Sequence, residues 1–168
     1  MLLVGTKAPD FILKNAHNKE VTLSSFAGKR VLLSFHPLAW TPVCAEQMKA
    51  LERYFDIFEK NNCVALGISV DSVPSKNAWA RSLGIEKTAL LSDFWPHGEV
   101  ARQYGIFRAG DGFSERANII IDEGRNIIFA NKYMISEVPV MAQIISILGT
   151  SSEDEIETHT IQDVNPIG

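Results

Sequence analysis

Cysteine is scarce in this chain. Only Cys44 and Cys63 occur in 168 residues, too few for a disulfide framework. The four histidines, at 17, 36, 97 and 159, show no paired-ligand spacing, which argues against a structural zinc site. No apolar run approaches membrane-spanning length, and the opening Met1-Leu-Leu-Val-Gly5 is too short for a signal h-region. No membrane partner and a cytoplasmic address are therefore expected. There is no internal repeat and no glycine-rich phosphate loop, so no cofactor is called for. A net charge of −4 speaks against nucleic acid as a partner.

What is present suits a soluble globular protein. The 46% hydrophobic and 21% charged content is that of a soluble domain, and the length allows one substantial core. The charge is unevenly placed. Residues 150–168 hold Glu153, Asp154, Glu155, Glu157 and Asp163 with no Lys or Arg, leaving the rest nearly neutral. The expected division is a compact domain over 1–149 and an acidic tail over 150–168, dispensable for chemistry.

Val31–Phe35 and Cys63–Val70 are apolar runs of strand length, suited to a sheet covered on both faces. Between them Met48, Leu51, Phe55 and Phe58 mark one face of a single helix of about eighteen residues, giving a βαβ unit. Further helices are expected from about Pro74 to Leu83, near Gly98–Gln103, and after Ser136 with Met141, Ile144, Ile145 and Leu148 as its buried stripe. Ala117–Ile121 and Asn126–Ala130 read as a hairpin with a glycine in its turn, and Phe11–Leu13 with Glu20–Leu23 as another. The fold class is α/β, a mixed sheet with helices on both faces in a thioredoxin-like arrangement.

The informative segment is Phe35-His-Pro-Leu-Ala-Trp-Thr-Pro-Val-Cys44, which joins a buried strand to a helix. Thr41 is a favoured N-cap residue, and Pro42 is favoured at the first helical position. Cys44 then falls in the first turn, where unpaired N–H groups and the helix dipole favour an anion. A thiolate, not a thiol, is the nucleophile, and free cysteine is mostly protonated at neutral pH; a helix terminus and a nearby cation correct that. The competing reading is a buried cysteine acting as a small hydrophobe.

Pro37-Leu-Ala-Trp-Thr41-Pro-Val-Cys44 resembles the peroxiredoxin signature, with Pro, Thr and Cys at that spacing. Ala8-Pro-Asp-Phe11, Gly67-Ile-Ser-Val-Asp-Ser72 and Arg116-Ala-Asn-Ile-Ile-Ile-Asp122 are similar to other family segments in the same order. The resemblance spans about residues 1–148. It implies a thiol-dependent peroxidase in which Cys44 attacks hydrogen peroxide or an organic hydroperoxide. It further implies that the Thr41 hydroxyl bonds thiolate or peroxide, that Pro37 shields the pocket, and that Arg116 supports the thiolate and polarises the O–O bond. Gln47, where relatives often carry Glu or Gln, would hold the arginine. A homodimer is implied too. His36 stands where many relatives have tyrosine and is expected to be a hydrogen-bonded structural residue. Trp40 and Trp95 are expected to be packing residues.

A sulfenic acid on Cys44 needs a second thiol to resolve it. Position 49 is Lys and the tail has no cysteine. Cys63, beyond the far end of a helix about 27 Å long, is out of reach of a bond that needs Cα atoms within roughly 7 Å. Cys63 therefore reads as structural, and the resolver as an external thiol: thioredoxin, glutaredoxin or a low-molecular thiol. Two alternatives stay open on the same fold. A thiol–disulfide oxidoreductase is weakened by Gln47, which leaves no Cys-x-x-Cys pair. A redox-sensing binding module is weakened by the presence of Thr41, Cys44 and Arg116 together.

Overall fold

The computed structural model describes residues 1–149; the expected acidic tail lies outside them. The elements in chain order are β1 (Ile12–Asn15), β2 (Glu20–Thr22), β3 (Arg30–Phe35), α1 (Pro42–Arg53), α2 (Phe55–Lys60), β4 (Cys63–Ser69) and α3 (Val73–Leu83). They continue with β5 (Ala89–Ser92), α4 (Glu99–Gln103), β6 (Phe107–Arg108), β7 (Phe113–Ser114), β8 (Arg116–Ile121), β9 (Ile127–Tyr133) and α5 (Met141–Leu148). A seven-stranded sheet runs β2-β1-β5-β4-β3-β8-β9. Its centre, β5-β4-β3, is parallel, and β1 and β8 flank it antiparallel.

The period of two along each strand sorts its side chains into two cores. On one face Leu32, Ala65, Leu90 and Ile120 meet α1, α2, α3 and α5 through Met48, Leu51, Phe58, Trp79, Ile144 and Leu148. On the other, Val31, Leu33, Phe35, Leu66, Ile119 and Ile121 meet α4 and the N-terminal segment through Val100, Tyr104, Phe11 and Leu23. Truncating one such fully buried side chain costs about 2–5 kcal/mol. Helices on both faces of a mixed sheet are as expected. Gly67 allows the closest approach: a Cβ there would strike Met48 of α1 and Leu90 of β5, so only a bare backbone lets α1 settle on β4.

Two local expectations need correction. The single eighteen-residue helix is two, because Tyr54 (φ −92°, ψ 9°) departs from helical geometry between α1 and α2. Tyr54 and Ile57 take the core positions, while Phe55 stays at the rim with the Lys87 ammonium 5.4 Å from its ring. The β8–β9 hairpin has Gly124 in its turn as expected, and Arg125 beside it adopts the left-handed conformation (φ 66°). Trp40 and Trp95 are exposed, at 57% and 82%, and Trp79 is the buried indole. The strand β5 and the small β6–β7 hairpin carry no apolar run long enough to announce them.

Candidate active site

Two chain segments meet at the carboxyl end of β3. The first is the loop His36–Thr41 leading into α1. Thr41 has the extended backbone of an N-cap (φ −107°, ψ 145°), Pro42 follows, and Cys44 is the third helical residue. Helix geometry leaves the first-turn N–H groups, Cys44's among them, without partners inside the helix. Thr41 caps by position alone. Its hydroxyl donates to the Leu38 carbonyl at 2.8 Å, and no side-chain bond to the helix is made. That proton is engaged, so Oγ1 faces other groups as an acceptor.

The second segment is the start of β8. Phe35 pairs with Ala117, which sets Arg116 just past the end of β3 on the α1 face of the sheet. Arg116 is 1% exposed. Its Nη1 lies 3.4 Å from Cys44 Sγ and donates to Gln47 Oε1 at 2.6 Å. Nε and Nη2 both donate to the carbonyl of Ile135, at 3.3 and 2.7 Å. Gln47 is locked from behind, its Nε2 donating to Ser34 Oγ at 2.8 Å and to the Phe35 carbonyl at 3.2 Å. None of these partners is a carboxylate. The guanidinium is fixed in place while its charge stays available to the sulfur.

Cys44 and Arg116 line a pocket of about 550 Å³, walled by Pro37, Leu38, Thr41, Val43, Phe113, Met134 and Ile135 among others. Cys44 is nearly buried, at 1% exposure. The wall is apolar except at Thr41, Cys44, Arg116 and Ser136, so water competes poorly for the charged groups. Pro37, Thr41, Cys44 and Arg116 therefore converge on one cavity, and Gln47 stands directly behind it.

His36 is fully buried as expected of a structural residue, its Nδ1 3.5 Å from the Ser34 carbonyl and its Nε2 3.0 Å from Lys76 Nζ. Burial, then the charges of Lys76 and Arg116, hold its imidazole well below the ordinary range. Three participants were not foreseen. The Ile135 carbonyl carries no sequence signal. Ser34 was legible as the one polar residue in Val31–Phe35. Lys76 looked like any polar residue on a helix.

Cys63 opens β4 opposite Arg30, at the other end of β3 from Cys44. The six residues of β3 span nearly 20 Å at about 3.3 Å each, so the separation persists although the helix is broken. Cys63 is buried, and burial pushes its thiol up to about 12.

Comparison with known proteins places the chain in a family. The model of the AhpC/TSA family matches residues 4–130. This chain belongs to the AhpC/TSA family. Alkyl hydroperoxide reductase E of Mycobacterium tuberculosis is 40% identical over 139 residues, covering 82% of this chain and 90% of that protein. Peroxiredoxin 2 of Thermoplasma acidophilum is 43% identical over 125 residues, covering 71% of this chain and 61% of that protein. Among solved structures, reduced 2-Cys peroxiredoxin of Plasmodium vivax superposes with a TM-score of 0.80 at 30% identity, over 100% of this chain and 89% of that one. The chain is a peroxiredoxin, a thiol-dependent peroxidase that reduces hydroperoxides.

Proposed function

We propose that Cys44 is the peroxidatic cysteine and that an external thiol recycles it. The observation that carries this is Arg116 Nη1 at 3.4 Å from Cys44 Sγ inside a largely apolar pocket. The thiolate attacks one oxygen of the hydroperoxide. An S–O bond forms, the O–O bond breaks, and the departing hydroxide or alkoxide takes a proton from water. Arg116 stabilises the sulfur anion and then the charge developing on the leaving oxygen, as a preorganised donor does. The Thr41 oxygen accepts a hydrogen bond from the peroxide O–H, because its own proton is committed to Leu38. Pro37 closes the pocket beside the sulfur, and Gln47 fixes the arginine. The apolar wall of Phe113, Met134 and Ile135 favours an organic hydroperoxide alongside hydrogen peroxide.

The sulfenic acid is resolved by thioredoxin, glutaredoxin or a low-molecular thiol, since Cys63 is buried at the opposite end of the sheet. The protein works as a homodimer in the cytoplasm. Exposed Trp40, Phe94 and Trp95 supply apolar surface for self-association. The test is stopped-flow reaction with hydrogen peroxide and with an alkyl hydroperoxide, followed by turnover with each thiol in turn. Sulfenic acid trapped by dimedone on Cys44 supports the reading. A rate no faster than that of free cysteine would sink it.

A further inference from the structure

No residue of α3 lines the peroxide pocket, yet α3 presses a buried lysine against the back of the site. Lys76 is fully buried. Among the described residues its nitrogen has one hydrogen-bond partner, Nε2 of His36 at 3.0 Å. The Trp79 ring lies 5.8 Å from that nitrogen and 5.4 Å from the imidazole. His36 follows Phe35, the strand partner of Ala117, and precedes Pro37 of the pocket wall. It thus stands between Lys76 and the Arg116 end of β8. The neighbouring residue of α3 holds the same loop, with Ser75 Oγ accepting from Trp40 Nε1 at 2.9 Å.

An ammonium offers three protons, and here only one has an acceptor. Burial accordingly lowers Lys76 to about 7, while the charges of Asp71 and Cys44 pull the other way. The groups facing it are His36 at the end of β3, Asp71 in the β4–α3 connection and Cys44 on α1, with Arg116 of β8 acting on His36. One oxygen of the Asp71 carboxylate, Oδ2, is engaged elsewhere, accepting from Ser69 Oγ at 2.6 Å and the Ala39 N–H at 2.9 Å. Of these groups only Cys44 changes its charge during the reaction: its anion is consumed when sulfur gains oxygen and hydroxide departs.

We propose that Lys76, held by His36, is a second positioning cation of the peroxide site, charged while Cys44 is a thiolate and released from that charge once Cys44 is oxidised. This rests on Cys44 being peroxidatic. It makes the site a two-cation centre. Arg116 touches the sulfur from the pocket side, and Lys76 acts on it through the protein from behind.

The test uses Lys76→Gln, which keeps a donor for His36 but no charge, and Lys76→Met, which keeps neither. Rates with hydrogen peroxide are followed across about pH 5 to 9, the range that brackets the titrations at issue. The acid limb of the profile is expected to move to higher pH in both variants by at least about half a unit. The proposal fails if the variants are slower at every pH without a lateral shift, the sign of a packing role alone. It fails equally if Lys76→Gln keeps the wild-type profile. Should neither variant fold, the wild type answers by NMR of isotope-labelled lysine side chains at constant pH. The Lys76 Cε resonance moves towards its neutral-amine position when one equivalent of peroxide is added; an unmoved resonance in oxidised protein overturns the proposal. A wild type that reacts no faster than free cysteine overturns the peroxidatic reading instead.

Discussion

Arg116 and Cys44 are seventy-two residues apart in sequence, and a guanidinium nitrogen of one lies 3.4 Å from the sulfur of the other. The same nitrogen bonds Gln47, so one group ties β8 to the first turns of α1.

Replacing that group is expected to be costly. Arg116→Ala should slow reaction with peroxide by about a hundredfold, the scale of losing a preorganised donor to a developing anion. Arg116→Lys should recover little, because an ammonium cannot hold the Ile135 carbonyl, Gln47 and the sulfur together. Stopped-flow rates at neutral pH decide this, and a near-wild-type lysine variant would show that charge alone suffices.

Gln47 acts only by holding Arg116. Gln47→Leu keeps the volume but strips three hydrogen bonds from the buried site, so stability should fall by about 1–3 kcal/mol. The peroxide rate should drop with it. Urea midpoints and rates measured together would reveal the contrary case, a weaker protein at full speed, in which the Ile135 carbonyl is anchor enough.

Cys63 should be dispensable for chemistry. In Cys63→Ala, one equivalent of peroxide is expected to give dimedone-reactive Cys44 as in the wild type, and turnover with an external thiol should persist. Non-reducing gels and intact mass check it. A stoichiometric Cys44–Cys63 disulfide in the wild type, within or between chains, would make Cys63 the resolver.

Asp93 predicts a pH dependence of stability. Its carboxylate accepts from the N–H groups of Val100 and Ala101 at 3.1 and 3.0 Å, but burial outweighs them and pushes it up from 3.8 to about 6. Between those values the native protein binds more protons than the unfolded chain, so this group's contribution falls as pH rises and its penalty is complete above about 6. Asp93→Asn should therefore gain on the wild type by about 2 kcal/mol between pH about 4.5 and 7. Denaturant titrations at the two pH values test it; a constant difference would show that the backbone donors win.

The sequence made the βαβ unit, the β8–β9 hairpin and the cap-and-cysteine segment legible, because apolar runs, turn residues and a Thr-Pro step act locally. Family resemblance placed Arg116 and Gln47, and the fold brings Arg116 to the sulfur and Gln47 to Arg116. What stayed hidden depends on long-range assembly. Whether Tyr54 or Phe55 turns inward depends on where α1 ends, and that end is tied to the β5 approach. Glu52 fixes it by accepting three consecutive N–H groups, from Glu86, Lys87 and Thr88. Lys76 showed only as one polar residue on α3; the depth of its burial is a property of the packed loop.

The grip on Arg116 at residue 135 comes from a main-chain oxygen, which every amino acid possesses. Saturation mutagenesis should therefore find position 135 permissive in chemical type, with side-chain changes altering the shape of the pocket wall and not the arginine's orientation. Insertions or deletions between Tyr133 and Met141 should be far more damaging, since they move the carbonyl itself. At this corner of the site, the inherited constraint is the length of the chain and not its letters.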